Sequence, residues 1–286
     1  MTILYPDNRG WYKLDGTNPA ESIRAIGSVQ HIEKLSITNF RLLTVELAKQ
    51  FSSFRSVGWM WLWCDVTRSA MRHVIRIPGL EVLDVLNIKA PGKLQGFDSA
   101  ENLHTVRANH YLKEEDVLAI TQCRTLQELG IQGAEVTPKV IAALLSLTEL
   151  RALDVEGSAF DDRMAASLCE LPTLEVLDVG GTNVSRAGLT HLISMKQLRS
   201  LDLWATKVTE ADLELLRELP GLEYISVGNY EGLLSLDANK VVPLLLELPS
   251  LKRVWLDGIS VSDTQKAALH AKLDSVRITS LQSDDA

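Results

Sequence analysis

The chain has 286 residues, of which 46% are apolar, 23% charged and 6% aromatic, a balance that excludes a disordered chain, a collagen and a small disulfide scaffold. Twenty-nine Lys and Arg against 37 Asp and Glu leave a formal charge of −8, which disfavours nucleic acid as a partner and favours a basic one. No apolar run approaches the roughly 18–20 residues that span a bilayer, Pro6, Asp7 and Arg9 interrupt the start where a signal peptide would be apolar, and Cys64, Cys123 and Cys169 are too scattered for a disulfide framework, so no membrane contact and a cytoplasmic location are expected.

From the N-terminus, Asn18, Pro19 and Glu21 form a helix-start pattern and predict a first helix to about Gly27, inside an N-terminal cap of residues 1–31. From Ile32 the chain repeats itself, which overrides the two domains that length alone suggests. The clearest copies begin at Leu150, Leu174 and Leu198 and are 24 residues long. Apolar anchors at Ile32, Val57, Leu80, Leu103, Leu126, Leu150, Leu174, Leu198, Leu222 and Leu251 define ten units in a single solenoid over 32–274, and leave 275–286 as a C-terminal cap and tail.

With the anchor as position i, positions i+3 (Leu35 through Val254) and i+5 (Ile37 through Leu256) are apolar in all ten units, including the degenerate copies that place Met60 and Ala108 there. Position i−3 is apolar as well, so Cys123 reads as a core residue in place of Leu. Alternation with period two predicts a short half-buried strand, and the spacing of Leu189, Leu192 and Ile193, or of Leu213, Leu216 and Leu219, predicts a helix later in each unit. Thr137, Asp161, Ser185, Thr209 and Ser262 all fall at i+11 and carry side-chain oxygens that cap a following helix, with Pro138 and Gln265 reinforcing two of them. Pro78, Pro172, Pro220 and Pro249 stop the helix just before the next anchor. Two units break the rhythm: Ala90–Phe97, with Pro91, Gly92 and Gly96, predicts no regular helix, and five extra residues around Gly228–Leu236 predict an insertion at one edge.

The Leu-x-x-Leu-x-Leu phrase followed by Thr-x-Val-Thr or its equivalent resembles the leucine-rich repeat family over roughly residues 30–275. Among subtypes it is most similar to the cysteine-containing class and its bacterial relatives, the closest copy being Gly181, Thr182, Val184, Ser185, Ala187, Gly188 and Leu189. The turn Cys or Asn of that class is mostly Thr or Gly here. The resemblance implies an α/β fold, a right-handed solenoid with a parallel sheet on its concave face and helices on its convex face, which binds proteins and catalyses nothing itself.

If i+3 and i+5 are buried, i+2, i+4 and i+6 point to the opposite, open face of the sheet. Five of the six tryptophans fall on these thirty positions, namely Trp59, Trp61, Trp63, Trp204 and Trp255, and only Trp11 does not; chance would place fewer than one there. Tyr224 joins them, and such aromatics concentrate at interfaces because they supply contact area with a polar handle. A cap containing Ile3, Leu4, Tyr5, Trp11 and Tyr12 is the alternative account, covering Trp59, Trp61 and Trp63. The same positions carry Asp84, Glu128, Asp154, Glu156, Asp178, Asp202 and Asp257 against Lys34, Arg107 and Arg253. Asp154, Asp178 and Asp202 recur at i+4, so strands about 4.8 Å apart would stack like charges that a basic partner relieves; plain solubility is the alternative.

Neither a calcium-type carboxylate loop nor a His/Cys cluster accompanies that ladder, so no metal and no cofactor are expected. His31, His73, His104, His110, His191 and His270 fall on different repeat phases without a nucleophile motif, there is no phosphate loop, and no catalytic residue is predicted. The sequence therefore predicts a monomeric, non-enzymatic module that grips a basic protein partner, with a bacterial immunity or inhibitor protein as one concrete role. Alternatives are a ubiquitin-ligase-type substrate adaptor, for which residues 1–31 are too few to form an F-box, and a carbohydrate-binding repeat protein that stacks sugars on Trp59, Trp61 and Trp63.

Overall fold

The computed structural model describes residues 6–15, 19–26, 29–108, 112–229 and 236–279. The chain divides into two compact units, 1–150 and 151–286.

In the first unit the strands β1 (Trp11–Asp15), β2 (Ile32–Thr38), β3 (Val57–Thr67), β4 (Val82–Lys89), β5 (Thr105–Ala108) and β6 (Glu128–Gly130) lie side by side in chain order, each parallel to the next. The predicted i+3 residues stand opposite one another along the row Leu35, Met60, Leu83, Val106 and Leu129, and all are buried. Parallel strands need a crossover that reverses direction twice. Helices α1 (Pro19–Ile26), α2 (Val45–Ala48), α3 (Arg68–Val74), α4 (Glu114–Ile120) and α5 (Pro138–Leu144) provide it, with a 3₁₀ turn at Lys49–Ser53. After β4 the stretch from Ala90 yields only a 3₁₀ turn at Phe97–Ser99, as its proline and glycines predict.

The second unit repeats the plan with β7 (Ala152–Asp154), β8 (Val176–Asp178), β9 (Ser200–Asp202), β10 (Tyr224–Gly228), β11 (Arg253–Asp257) and β12 (Ser275–Thr279). Here the inward row is Leu153, Leu177, Leu201, Ile225 and Val254. Its crossovers are α6 (Asp162–Leu168), α7 (Arg186–Leu192), a 3₁₀ segment at Asp212–Glu218, α8 (Ala238–Glu247) and α9 (Asp263–Lys272). Each unit thus has the α/β repeat architecture of parallel strand and crossover that the sequence predicts. Among the described residues no helix is long and apolar enough to cross a membrane.

The predicted cap and tail each contribute a strand in the repeat register. Tyr12 pairs opposite Leu35 and Val276 opposite Val254, so β1 and β12 occupy the positions of two further repeats. Trp11 consequently stands at i+2, opposite Lys34, and belongs to the open face, contrary to its expected exclusion. Arg9 occupies the anchor position of that unit, which removes the apolar mark by which the other ten are recognised.

Four of the five predicted caps accept a helix N–H: Thr137 from Val140, Asp161 from Arg163 and Met164, Ser185 from Ala187, and Ser262 from Gln265. Thr209 instead donates through its N–H and hydroxyl to Asp212, at 2.9 and 2.7 Å, and the segment that follows is 3₁₀. Gly27, Asn18, His110 and residues 230–235 of the predicted insertion lie outside the described residues.

One buried ion pair spans the unit that lacks a regular helix. Arg68, opening α3, reaches Asp116 of α4 with Nε to Oδ1 at 2.7 Å and Nη2 to Oδ2 at 2.6 Å, and the Lys113 N–H donates to the same carboxylate at 3.1 Å. Asp116 is fully buried, and the Arg68 side chain is 13% exposed. Removing one partner of such a pair leaves an uncompensated charge in the interior. Asp116→Ala is therefore expected to cost about 3–5 kcal/mol in urea denaturation, and the double variant Arg68→Met/Asp116→Leu much less.

Candidate functional site

On the first unit, β3 is eleven residues long and carries Trp59, Trp61 and Trp63 at alternate positions, which puts all three on the open face. Trp11 reaches the same surface from β1. Its ring lies 5.1 Å from Trp59 and 5.7 Å from Trp61, and Trp61 lies 5.2 Å from Trp63 at an interplanar angle of 77°. Trp59 is half-buried, whereas Trp61 and Trp63 remain 37% and 50% exposed. Trp11 is therefore a neighbour on the face and leaves Trp61 and Trp63 open to solvent; Ile3, Leu4 and Tyr5 of the covering alternative lie outside the described residues.

Strand register sets Trp61, Asp84 and Arg107 in one row. Trp59 donates its Nε1–H to Asp84 Oδ2 at 2.5 Å, and Arg107 donates to Asp84 Oδ1 at 2.9 Å and to Glu128 Oε1 at 2.6 Å. Two of the seven predicted acids, Asp84 and Glu128, are thus paired within the chain to one guanidinium. The four tryptophans, Asp84 and Arg107 line a recess of about 400 Å³.

On the second unit the row is Asp154, Asp178 and Asp202, directly opposite one another, continued by Ser226, Trp255 and Arg277. Each aspartate does the same local work: its Oδ1 accepts the backbone N–H two residues on, from Glu156 at 2.9 Å, Gly180 at 2.8 Å and Trp204 at 2.8 Å. This side-chain turn ends the three-residue strand and explains why aspartate recurs at i+4. Its electrostatic consequence is repulsion in a half-buried place. Burial, then the charges of Asp202 and Asp154, push the Asp178 carboxyl up to about 8, against the opposing Gly180 N–H. Burial likewise raises Asp202, where the Trp204 N–H and the Ser226 hydroxyl act in the other direction. Glu156 is raised by burial and then by Asp154 and Asp202.

Glu156, Asp178, Asp202, Trp204, Trp255 and Asp257 surround a recess of about 190 Å³. Trp204 donates its Nε1–H to the buried Asp257 at 3.0 Å. Trp255 donates to Thr279 at 3.2 Å and holds the Arg277 guanidinium 4.0 Å above its ring. Tyr224 stands outside this recess, under the guanidinium of Arg253 at 5.6 Å. Among the described residues, Asp154, Glu156 and Asp178 form the one acidic group whose oxygens lie close enough together, within 4.8 Å, to hold a cation.

Sequence reasoning missed Trp11 and Arg277, the end members of the two faces. The alternation Trp11-Tyr12-Lys13-Leu14 and Ser275-Val276-Arg277-Ile278 was the available signal. Burial raises all three thiols: with the charge of Asp65 it pushes Cys64 up to about 12, and it raises Cys169 and Cys123, the latter donating to the Leu103 carbonyl at 3.2 Å.

No protein-family profile matches the sequence, and no curated protein matches it. Among solved structures, the internalin InlF of Listeria monocytogenes is similar at 15% identity with a TM-score of 0.58, over 96% of this chain and 73% of its own. TLR13, solved as a TLR13–ssRNA13 complex, is similar at 17% identity with a TM-score of 0.55, over 93% of this chain and 43% of its own, so the chain spans less than half of that protein. Both are leucine-rich repeat proteins, and the likeness together with the strand–helix repeat establishes an α/β leucine-rich repeat solenoid.

The raised Asp178 carboxyl links stability to pH. A carboxyl held above its unfolded value of about 3.9 favours the fold at acid pH, and that contribution is lost as the pH rises through about 8. Asp178→Asn keeps an acceptor for the Gly180 N–H and removes the charge. It is expected to leave stability near pH 4 unchanged and to raise it at pH 8 by about 1 kcal/mol. Urea titrations at stepped pH measure this, and parallel curves for the two proteins would show that the row carries no such repulsion.

Proposed function

We propose that the protein is a non-enzymatic interaction module that binds a basic protein partner on the open face of residues 151–286. In this reading Asp154, Glu156, Asp178, Asp202 and Asp257 select charge, and Trp204, Tyr224 and Trp255 supply contact area. The observation that carries it is the contrast in how carboxylates are compensated. Asp84 and Glu128 share Arg107, whereas Asp178 and Asp202 bond to backbone N–H and hydroxyl groups, and their ionised forms are opposed by burial and, at Asp178, by the charges of Asp202 and Asp154. A lysine or arginine side chain entering the 190 Å³ recess would replace that repulsion by attraction, with indole walls from Trp204 and Trp255 to receive its stem.

TLR13 is solved with single-stranded RNA, but here the net charge of −8 and the carboxylate row support a polycation instead. The phrase from Gly181 to Leu189 supports repeats of the cysteine-containing subtype, as in bacterial relatives. A monomeric cytoplasmic immunity or inhibitor protein, covering the active site of a basic toxin, is the role we favour on acidity and on the lack of a catalytic motif in the sequence.

Tagged protein used as bait in its native cytosol is expected to retain a basic protein at low salt and to release it at high salt, because exposed charges are screened beyond about 10 Å at 0.1 M. Titrated in purified form, that partner is expected to bind Asp154→Lys/Asp178→Lys at least about tenfold more weakly, and to bind the wild type more tightly at pH 8 than at pH 6, since binding expels the Asp178 proton. A partner indifferent to salt, to pH and to both substitutions, or no partner at all, would overturn the reading.

A further inference from the structure

The recess on the first unit asks for a different ligand. Its walls are indoles that do not satisfy one another. Trp61 and Trp63 meet edge to face at 77°, and Trp11 meets Trp61 at 57°, so ring faces stay open to a ligand, and half of Trp63 is exposed. An indole face is electron-rich and attracts the positive edge of a C–H bond as well as a cation. Its lining adds Val85 and Leu86 to two polar residues, Asp84 and Arg107, and those two are rigidly held. Asp84, Arg107 and Glu128 are locked to one another and to Trp59 by bonds of 2.5–2.9 Å.

The charges on this surface are already paired within the chain. Arg107 bridges Asp84 and Glu128, and Lys34, whose ammonium sits 5.8 Å from the Trp59 ring centre, pairs with Glu33 at 3.8 Å. A charged ligand therefore gains little here. An ammonium ligand would meet Arg107 beside the aromatic walls. A wholly apolar group, such as an aliphatic peptide side chain, would strip water from Asp84 and Arg107 and return no hydrogen bond, which costs about 1–3 kcal/mol per group. Arg107 spends Nε and Nη1 on its two partners, and a guanidinium carries five N–H donors in all, while a carboxylate accepts about four bonds. The floor thus keeps both donors and acceptors for a ligand that offers both.

A neutral polyol ring meets every one of these conditions, with a face of C–H bonds and a rim of hydroxyls that donate and accept. We propose that the Trp11, Trp59, Trp61 and Trp63 recess is a carbohydrate-binding site, with a neutral pyranose lying against Trp61 or Trp63 and its hydroxyls on Asp84 and Arg107. The volume of about 400 Å³ lies within the range of small-ligand clefts, roughly 300–1,000 Å³. The site is independent of the acidic face on residues 151–286 and stands or falls without it.

The test uses the full chain, its intrinsic tryptophan fluorescence and calorimetry, with neutral hexasaccharides of glucose (α- and β-linked), mannose, xylose and N-acetylglucosamine as probes. At least one is expected to shift the emission and to bind with a Kd below about 1 mM, changing less than about twofold between low and high salt. Trp61→Ala and Trp63→Ala leave the inward rows untouched, so both variants should still melt cooperatively while affinity falls about tenfold. Arg107→Lys breaks the two-way bridge and should weaken binding as well, with calorimetry reporting the lost enthalpy. Binding by none of the five up to about 10 mM overturns the proposal. So does sugar binding that survives both tryptophan substitutions, or capture at this recess of an apolar or cationic peptide in place of every sugar.

Discussion

Everything on the open faces depends on the inward row. In each unit one apolar side chain per strand stands directly opposite its counterpart in the next strand, as Leu153, Leu177 and Leu201 do, or Leu35, Met60 and Leu83. Side chains alternate along a strand with period two, so a slip of one residue would expose every one of these leucines and bury aspartates and tryptophans in their place. That penalty fixes the register. Once it is fixed, the residues between the core positions have no choice of neighbour: Asp154, Asp178 and Asp202 lie in line because Leu153, Leu177 and Leu201 do.

Stacking like residues at about 4.8 Å is favourable for leucine and costly for aspartate, and the two units resolve that cost differently. In the first, a single Arg107 at i+4 separates Asp84 from Glu128 and binds both. In the second, each aspartate is held locally by accepting the N–H two residues on, and burial, then the charges of Asp202 and Asp154, push the Asp178 carboxyl up to about 8. Carboxylates paired to an arginine beside exposed indole faces, and a row of like carboxylates beside indole walls, are two chemistries generated from one repeat.

Much of this was legible in the sequence. Ten anchors, the apolar i+3 and i+5 rows, four of the five predicted caps and five of the six outward tryptophans follow from spacing alone, because each is a property of a residue and its near neighbours along the chain. The failures have physical causes too. Trp11 belongs to a strand whose unit carries Arg9 at the anchor, so the apolar mark is missing there although the alternation persists, and Arg277 follows Leu273, an apolar anchor at which the count of ten units stopped short. Thr209 lost its capping role because Asp212, three residues on, competes for its hydroxyl and N–H and is itself held by Arg186 at 2.8 Å.

The sequence by itself determined the strand–helix alternation, the register and which residue types share a face, since these rest on periodicity and on the free energy of burying one side of each strand. Only the tertiary structure decided what those residues do to one another. That Arg107 takes both Asp84 and Glu128, that Arg68 crosses a helix-less unit to the buried Asp116, that Trp11 packs against Trp59 and Trp61 and that burial, then Asp202 and Asp154, raises the Asp178 carboxyl are outcomes of distance and burial between groups roughly 20–50 residues apart. Periodicity says which side a residue faces; the Coulomb and hydrogen-bond terms that set its chemistry fall off over a few ångströms and exist only once the strands are laid together.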